Sequence, residues 1–272
     1  MIEAEALGET MRDIVDLDRY PINRPDEPAA QALVADCRAA LARDGMFTLN
    51  GFMTPAAVDA AISPLGAKFE TESFFHKRSH NIYFRDEVEG LSPDHPALAL
   101  RETANRTLCA DQLGDNPLIR LYEAPEFAAF LAVVMDKPAL FAMADPLARV
   151  NVMTYRSGEA LNWHFDRSEF TTTLLLEAPL AGGEFEYRTD LRSEDDPNYD
   201  GVARLLRGED KLMRRISLTP GALNVFRGKN TPHRVTPPQG SVNRTIAVFS
   251  YYEAAHVSFS AEERMGFYGR AH

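Results

Sequence analysis

From Arg149 onward the chain is written as short β runs punctuated by glycine and proline, and this texture restricts its fold more than anything else. The stretches 148–155, 171–176, 183–187, 222–226 and 244–252 carry β-branched and aromatic residues between Gly and Pro turns. Upstream the period changes. Over Pro28–Asp44 the apolar positions Leu33, Val34, Cys37, Ala40 and Leu41 recur at helical spacing, with Gly45 placed as a stop. Residues 46–51 read as a short strand. Thr54-Pro55 supplies an N-cap and a first-turn proline and predicts a helix to about Leu65. Pro125 opens another helix through Phe130, Leu131 and Val134. Residues 1–25, acidic and ending in Pro21 and Pro25, read as an irregular arm, and 68–115 shows no assignable period. Helices followed by many short antiparallel strands give a mainly-β fold with helices (α+β). Its core is expected to be a double-stranded β-helix of the jelly-roll or cupin kind behind an N-terminal helical layer.

One domain over 1–272 is expected. Residues 1–147 would form the helical layer and first strands, 148–252 the core, 190–215 a polar lid-like insertion, and 253–272 a C-terminal tail. A net charge of −11 argues against a nucleic-acid or anionic-membrane surface. It does not argue against an anionic small substrate, since a local pocket can be positive. Met1-Ile-Glu-Ala-Glu lacks a basic region followed by an apolar run, and no stretch approaches the ~18–20 apolar residues that span a bilayer. Cys37 and Cys109 stand far apart and read as free thiols in a reducing compartment, so a cytoplasmic location is expected. Whether the chain works alone or as a homodimer is left open.

The chemistry concentrates at the end of a strand, in Asn162-Trp-His164-Phe-Asp166. Side chains of a strand alternate faces, so His164 and Asp166 point one way and Phe165 the other. A second imidazole, His233 in Thr231-Pro-His-Arg-Val235, lies 67 residues beyond Asp166. Two His and one carboxylate on one face leave three coordination positions open, the pattern of non-haem Fe(II) oxygenases. His76, His80 and His95 fit no tight zinc spacing and read as surface or lid residues.

Taken together, Tyr155…Gly158…His164-Phe-Asp166, Gly182-Gly-Glu-Phe185, Gly221-Ala-Leu-Asn-Val-Phe226, His233-Arg-Val235 and Arg244 resemble, in order, the Fe(II)/2-oxoglutarate-dependent oxygenases. Residues 162–165, 168–176, 182–188, 224–229 and 249–252 are further similar to the BesD/HalD-type amino-acid halogenases and their hydroxylase relatives. The resemblance implies Fe(II) held by His164, Asp166 and His233, with 2-oxoglutarate and O2 as co-reactants and ascorbate as a stimulant. Arg244 would meet the distal carboxylate of 2-oxoglutarate through two parallel charge-assisted hydrogen bonds. Many relatives place Ser or Thr two residues after this arginine. Ile246 stands there instead, so another group must assist. Tyr155 is one candidate, a core aromatic being the equal alternative, and Asn151 shares its strand face. In the halogenases Gly or Ala replaces the carboxylate ligand to admit halide. Asp166 therefore implies hydroxylation.

The expected substrate is a free amino acid or similar small polar metabolite, attacked at an unactivated C–H bond. A nucleotide or peptide substrate, or a non-catalytic metal-binding jelly roll, are the alternatives. Arg167, next to the metal carboxylate, is a candidate partner for a substrate carboxylate, against a plain ion pair with Glu169 or another neighbour. Ser250 lines the same side. Trp163, the single Trp, is a weaker candidate that packs more naturally under the metal strand. Glu184 and Glu186 read as exposed strand carboxylates or partners for an amine.

Overall fold

The computed structural model describes residues 11–272, so the reading of Met1 to Thr10 lies outside the described residues. Helix α1 (Pro28–Asp44) runs to Gly45, whose left-handed φ of +72° lets its N–H cap the Leu41 carbonyl. Strand β1 (Met46–Leu49) follows. The Thr54 hydroxyl accepts the Ala57 N–H at 3.2 Å and starts α2 (Pro55–Ile62). That helix stops short of Leu65, because Pro64 cannot donate the next helical hydrogen bond, and α3 (Leu65–Thr71) begins beyond it.

The unassigned stretch holds β2 (Phe74–His80), β3 (Arg101–Cys109) and α4 (Ala110–Leu113). Then come α5 (Pro117–Glu123), α6 (Pro125–Val134) and β4 (Phe141–Ala142). The strands of the β-rich half are β5 (Val150–Tyr155), β6 (Leu161–His164), β7 (Thr171–Glu177) and β8 (Phe185–Tyr187). Helix α7 (Tyr199–Leu206) and β9 (Arg214–Ile216) lie in the insertion. The chain ends through β10 (Leu223–Phe226), β11 (His233–Val235), β12 (Arg244–Phe249), β13 (Tyr251–Tyr252) and α8 (Ala261–Tyr268).

Seven strands form a major sheet in the order β1-β10-β7-β12-β5-β3-β2, and four form a minor sheet, β6-β11-β8-β9. Every pairing between these strands is antiparallel, which gives each sheet two chemically distinct faces. One face of the major sheet presents Val152, Leu174, Leu176, Leu223, Val225 and Ala247 to the helices, where they join Leu41, Val58, Leu118 and Leu131 in one apolar core. Burying each such aliphatic side chain is worth about 1.5–3 kcal/mol, so this layer fixes the sheet. The opposite face carries Thr173, Asn224 and Arg244, which line a cavity together with His164 and His233 of the minor-sheet strands.

Two terminal segments depart from the sequence reading. Residues 15–25 are largely irregular, but the segment is no free arm: Met11, Ile14, Val15, Leu17, Tyr20 and Ile22 are all buried in the apolar core. Nor is 253–272 a plain tail. It forms α8, opened by a Ser260/Glu263 capping box and docked through buried Tyr268.

Candidate metal centre and its cavity

His164 ends β6 and His233 begins β11, and the two residues face each other directly across the antiparallel pair. Their rings lie 4.2 Å apart between centroids. Asp166 follows in the turn after β6. Its carboxylate comes within 3.3 Å of His164 Nε2 and 3.6 Å of His233 Nε2. One ligand atom from each residue lies within 4.8 Å of the other two, the compact grouping a single metal ion requires. Alternation along β6 sends Trp163 to the other side, into a separate cluster with Phe165, Ile82, Val202 and Leu205.

Backbone carbonyls set the imidazole tautomers. His164 Nδ1–H donates to the Asn162 carbonyl at 2.8 Å and His233 Nδ1–H to Thr231 at 3.0 Å, leaving both Nε2 lone pairs free. Burial pushes His233 down to about 4, with Asp166 opposing and His164 adding to the shift. Burial alone would raise the Asp166 carboxyl, but His233, His164 and the Thr171 hydroxyl hold it well below the usual carboxylate range. Neutral imidazole and ionised carboxylate are the states that bind a cation.

The seat of Asp166 reaches across to the major sheet. Its N–H donates to the Gly228 carbonyl at 3.1 Å, and Thr171 Oγ1 donates to Oδ2 at 2.6 Å. A Cβ at position 228 would stand 2.1 Å from that same oxygen, so only glycine leaves room for the carboxylate. Sequence reasoning passed over both residues, although Thr171 stands five positions beyond Asp166 at a strand start. Glu186, expected to be exposed, is fully buried, and its carboxylate binds Arg215 and Arg234. Arg234 follows His233, so this ion cluster braces β11 directly behind the metal position.

Arg244 opens β12, an interior strand between β5 and β7, and is 3% exposed. Its Nε donates to the Gly183 carbonyl at 3.0 Å, while its buried Nη1 has no protein partner. Burial pushes Arg244 down to about 10, with Tyr155 opposing. Tyr155, its cross-strand partner, places its ring centroid 6.0 Å from the guanidinium carbon. A buried, incompletely satisfied guanidinium donor is costly unless an anion completes it. The structure thus brings Tyr155 and Arg244 together at one end of a cavity of about 1150 Å³ that also holds His164, Asp166 and His233. Ligand cavities commonly span ~300–1,000 Å³, so the volume suits two small molecules.

Other expectations need correcting. Asn151 lines the cavity four positions from Tyr155, but its amide is already engaged. It donates to the Leu147 and Val150 carbonyls and accepts the Tyr268 hydroxyl at 2.8 Å, which leaves little for a cosubstrate. Trp163 does not reach the cavity and packs beneath the metal strand with Arg234 over its ring. Arg167 does line the cavity, with its side chain 79% exposed, and pairs with Glu263 of α8 at 3.2 Å rather than with Glu169. Ser250 lines it as well, although its carbonyl is occupied by the Tyr122 hydroxyl. His80 is no surface residue: it is buried, bonded to Thr103, and its ring lies 6.5 Å from that of His164. His76 lines the cavity, and His95 caps the turn at 96–98 by accepting the Ala97 N–H. Arg78, whose charge beside these histidines disfavours a bound cation, lies two positions from each of His76 and His80 on the same strand face and lines the cavity. Period-two counting places it there.

Fold and site together define a double-stranded β-helix of the Fe(II)/2-oxoglutarate oxygenase class. Residues 100–266 match the family model of Halogenase D, HalD, and the chain belongs to that family. Among solved structures it is similar to AviO1 of Streptomyces viridochromogenes Tue57, at 18% identity and a TM-score of 0.56 over 82% of this chain and 96% of that one. HygX of Streptomyces hygroscopicus, solved with nickel and 2-oxoglutarate bound, gives 11% identity and 0.55 over 82% and 88%. The epimerase SnoN, in complex with Fe3+, alpha ketoglutarate and nogalamycin RO, gives 18% and 0.52 over 80% and 84%. A search among curated proteins found no match.

Proposed function

We propose that this protein is an Fe(II)/2-oxoglutarate-dependent hydroxylase acting on an unactivated C–H bond of a free amino acid or similar small polar metabolite. The observation that carries the reading is the pairing, in one cavity, of an open three-ligand cluster with a buried guanidinium whose Nη1 lacks a partner. The donor set fits ferrous iron: two imidazoles and one carboxylate. SnoN and HygX, of like fold, hold a transition metal and the same oxo-acid, in line with this assignment.

His164, Asp166 and His233 would hold the iron, with Asp166 kept in place by Thr171 and Gly228. Bound there, the iron supplies redox chemistry in which O2 and 2-oxoglutarate give succinate and CO2 while one oxygen atom enters the substrate C–H bond. Arg244 would bind the distal carboxylate of 2-oxoglutarate. Tyr155 would flank it and supply the hydroxyl contact that Ile246 cannot make. Arg167 would meet a substrate carboxylate at the mouth. The insertion covers one side of the cavity with Arg192, Pro197 and Tyr199, and Tyr199 donates its hydroxyl to the Glu89 carbonyl at 3.0 Å. That contact suits a lid which excludes water.

Hydroxylation rather than halogenation follows from Asp166, since a carboxylate on the iron occupies the place a halide would need. Purified protein supplied with ferrous iron, 2-oxoglutarate, ascorbate, excess chloride and a panel of free amino acids and nucleotides should form succinate in step with a hydroxylated member of that panel. A dominant chlorinated product would reverse the outcome assignment, and absence of any succinate would remove the enzyme class.

A further inference from the structure

The charged groups around the cavity are strongly unbalanced. Six cationic side chains line it, Arg78, Arg85, Arg167, Arg192, Lys229 and Arg244, against two carboxylates, Asp166 and Glu194. Glu194 is bound to Lys229 at 2.5 Å and its side chain is largely exposed. Asp166 is turned to the metal position. The chain as a whole carries a formal charge of −11, so the positive cavity runs against its surroundings. Such a cavity concentrates anions and repels cations.

Arg244 accounts for one anion. The others remain. Among the described residues Arg78, Arg85 and Arg192 have no carboxylate partner. The Arg78 guanidinium sits 4.5 Å from the Phe84 ring centroid instead, and Arg192 stacks 3.7 Å from Phe165 while donating to the Lys229 carbonyl. Arg167, 5.7 Å from the Phe267 ring, has only the exposed contact with Glu263. Arg78 and Arg167 line the same cavity, and burial, reinforced by the charge of Arg167, holds Arg78 below the ordinary arginine value. Like charges so placed are stabilised by an anion between them. None of the other polar residues lining the cavity, among them His76, Asn105, Thr107, Thr173 and Asn224, is a carboxylate.

Resting on the hydroxylase reading, we infer that the substrate is an acid. Its carboxylate would lie between Arg78 and Arg167, and it would carry no basic side chain. Among amino acids this selects acidic ones and their N-acyl derivatives. An α-ammonium, where present, falls to amide and hydroxyl oxygens, since no free carboxylate faces it. Lysine, ornithine and arginine are excluded, because their second cation would enter a cavity already lined by unpaired guanidinia.

The test is substrate-stimulated succinate formation by the iron-loaded protein across L-aspartate, L-glutamate, their N-acetyl derivatives, L-glutamine, L-leucine, L-lysine, L-ornithine and L-arginine. An acid should give the strongest stimulation, with a KM that rises as salt screens the cavity. Arg78→Gln should raise that KM about tenfold, mostly without change in kcat. The double charge reversal Arg78→Glu with Arg167→Glu should abolish stimulation by acids while its unchanged melting temperature reports an intact fold. Strongest stimulation by a basic amino acid, or none by any acid, overturns the inference while leaving the hydroxylase reading in place. Succinate formed without added substrate tests that reading separately. If it is absent, calorimetric binding of the same panel to the Ni(II)-loaded protein decides the charge question, with tighter binding of a basic member counting against it.

Discussion

At its inner end the cavity is walled by strands whose side chains are fixed before any ligand arrives. At its mouth the walls are a loop, an insertion and the C-terminal helix. His164, His233 and Arg244 are each no more than 6% exposed, and backbone carbonyls orient them. Arg167 is 79% exposed and rests on an aromatic ring and one weak ion pair. A group sequestered from water must be placed once and held, whereas a group in solvent can adjust to what it meets. The reaction chemistry would thus be set by the sheets and the choice of substrate by what is appended to them.

The sharpest way to break this contrast is at Arg244. Replacing it by methionine should weaken 2-oxoglutarate binding by about 3 kcal/mol, roughly a hundredfold, because a buried, hydrogen-bonded charge pair loses one member. Arg244→Lys should recover only part, since a point charge cannot match two parallel bonds. Calorimetry on the Ni(II)-loaded protein reads this directly. An unchanged Kd would mean the inner end is no more committed to its ligand than the mouth.

Next comes the post that holds the mouth in place. Asp145 is fully buried and accepts Arg264 Nε at 2.8 Å and the N–H groups of Leu147, Ala148 and Phe259. Asp145→Asn should cost about 2–3 kcal/mol in denaturant unfolding and speed amide exchange over 258–268. Burial tends to raise this carboxyl, but Arg264 and the three N–H groups hold it below its ordinary 3.8. Its contribution is therefore undiminished above pH 3.8 and is given up as pH falls through the lower folded value, so variant and parent should converge in acid. Stability equal to the parent at neutral pH would show that α8 is not anchored here.

Thr171 sharpens the contrast from the inner side. Thr171→Val removes the bond to Asp166 Oδ2 while keeping shape, and should weaken Co(II) or Fe(II) affinity about 10- to 100-fold. Thr171→Ser should restore most of it. Equal metal affinity in all three forms would make Thr171 a packing residue.

The same division explains what could be read in advance. Helices α1, α2 and α6 announce themselves through proline starts and a glycine stop, and β7, β10 and β12 through apolar alternation against the helical core. The His164, Asp166, His233 grouping was legible from its spacing and the motifs around it, although Asp166 lies just past the end of β6 and not on the strand that alternation assumed. Strands β2 and β3 were not legible. Their cavity face carries His76, Arg78 and His80, and Thr103, Asn105 and Thr107, so a strand that lines a wet, functional cavity loses the inward apolar pattern. Glu186 was misjudged because its partners Arg215 and Arg234 lie 29 and 48 residues away. Helix α8, by contrast, carries a readable start in Ser260-Ala-Glu-Glu263 that the sequence reading overlooked.

The smallest effect belongs to Arg167 alone. Its guanidinium is solvated and already shared with Glu263, so its removal forfeits only a screened interaction, less than about 1 kcal/mol. Arg167→Ala should therefore raise substrate KM no more than about fivefold at low salt, with the difference shrinking at high salt. Glu263→Gln should act oppositely, lowering KM by freeing the guanidinium for the substrate. A loss as large as that at Arg244 would mean that the mouth closes over bound substrate and buries Arg167. The contrast between the two ends would then hold only until substrate arrives.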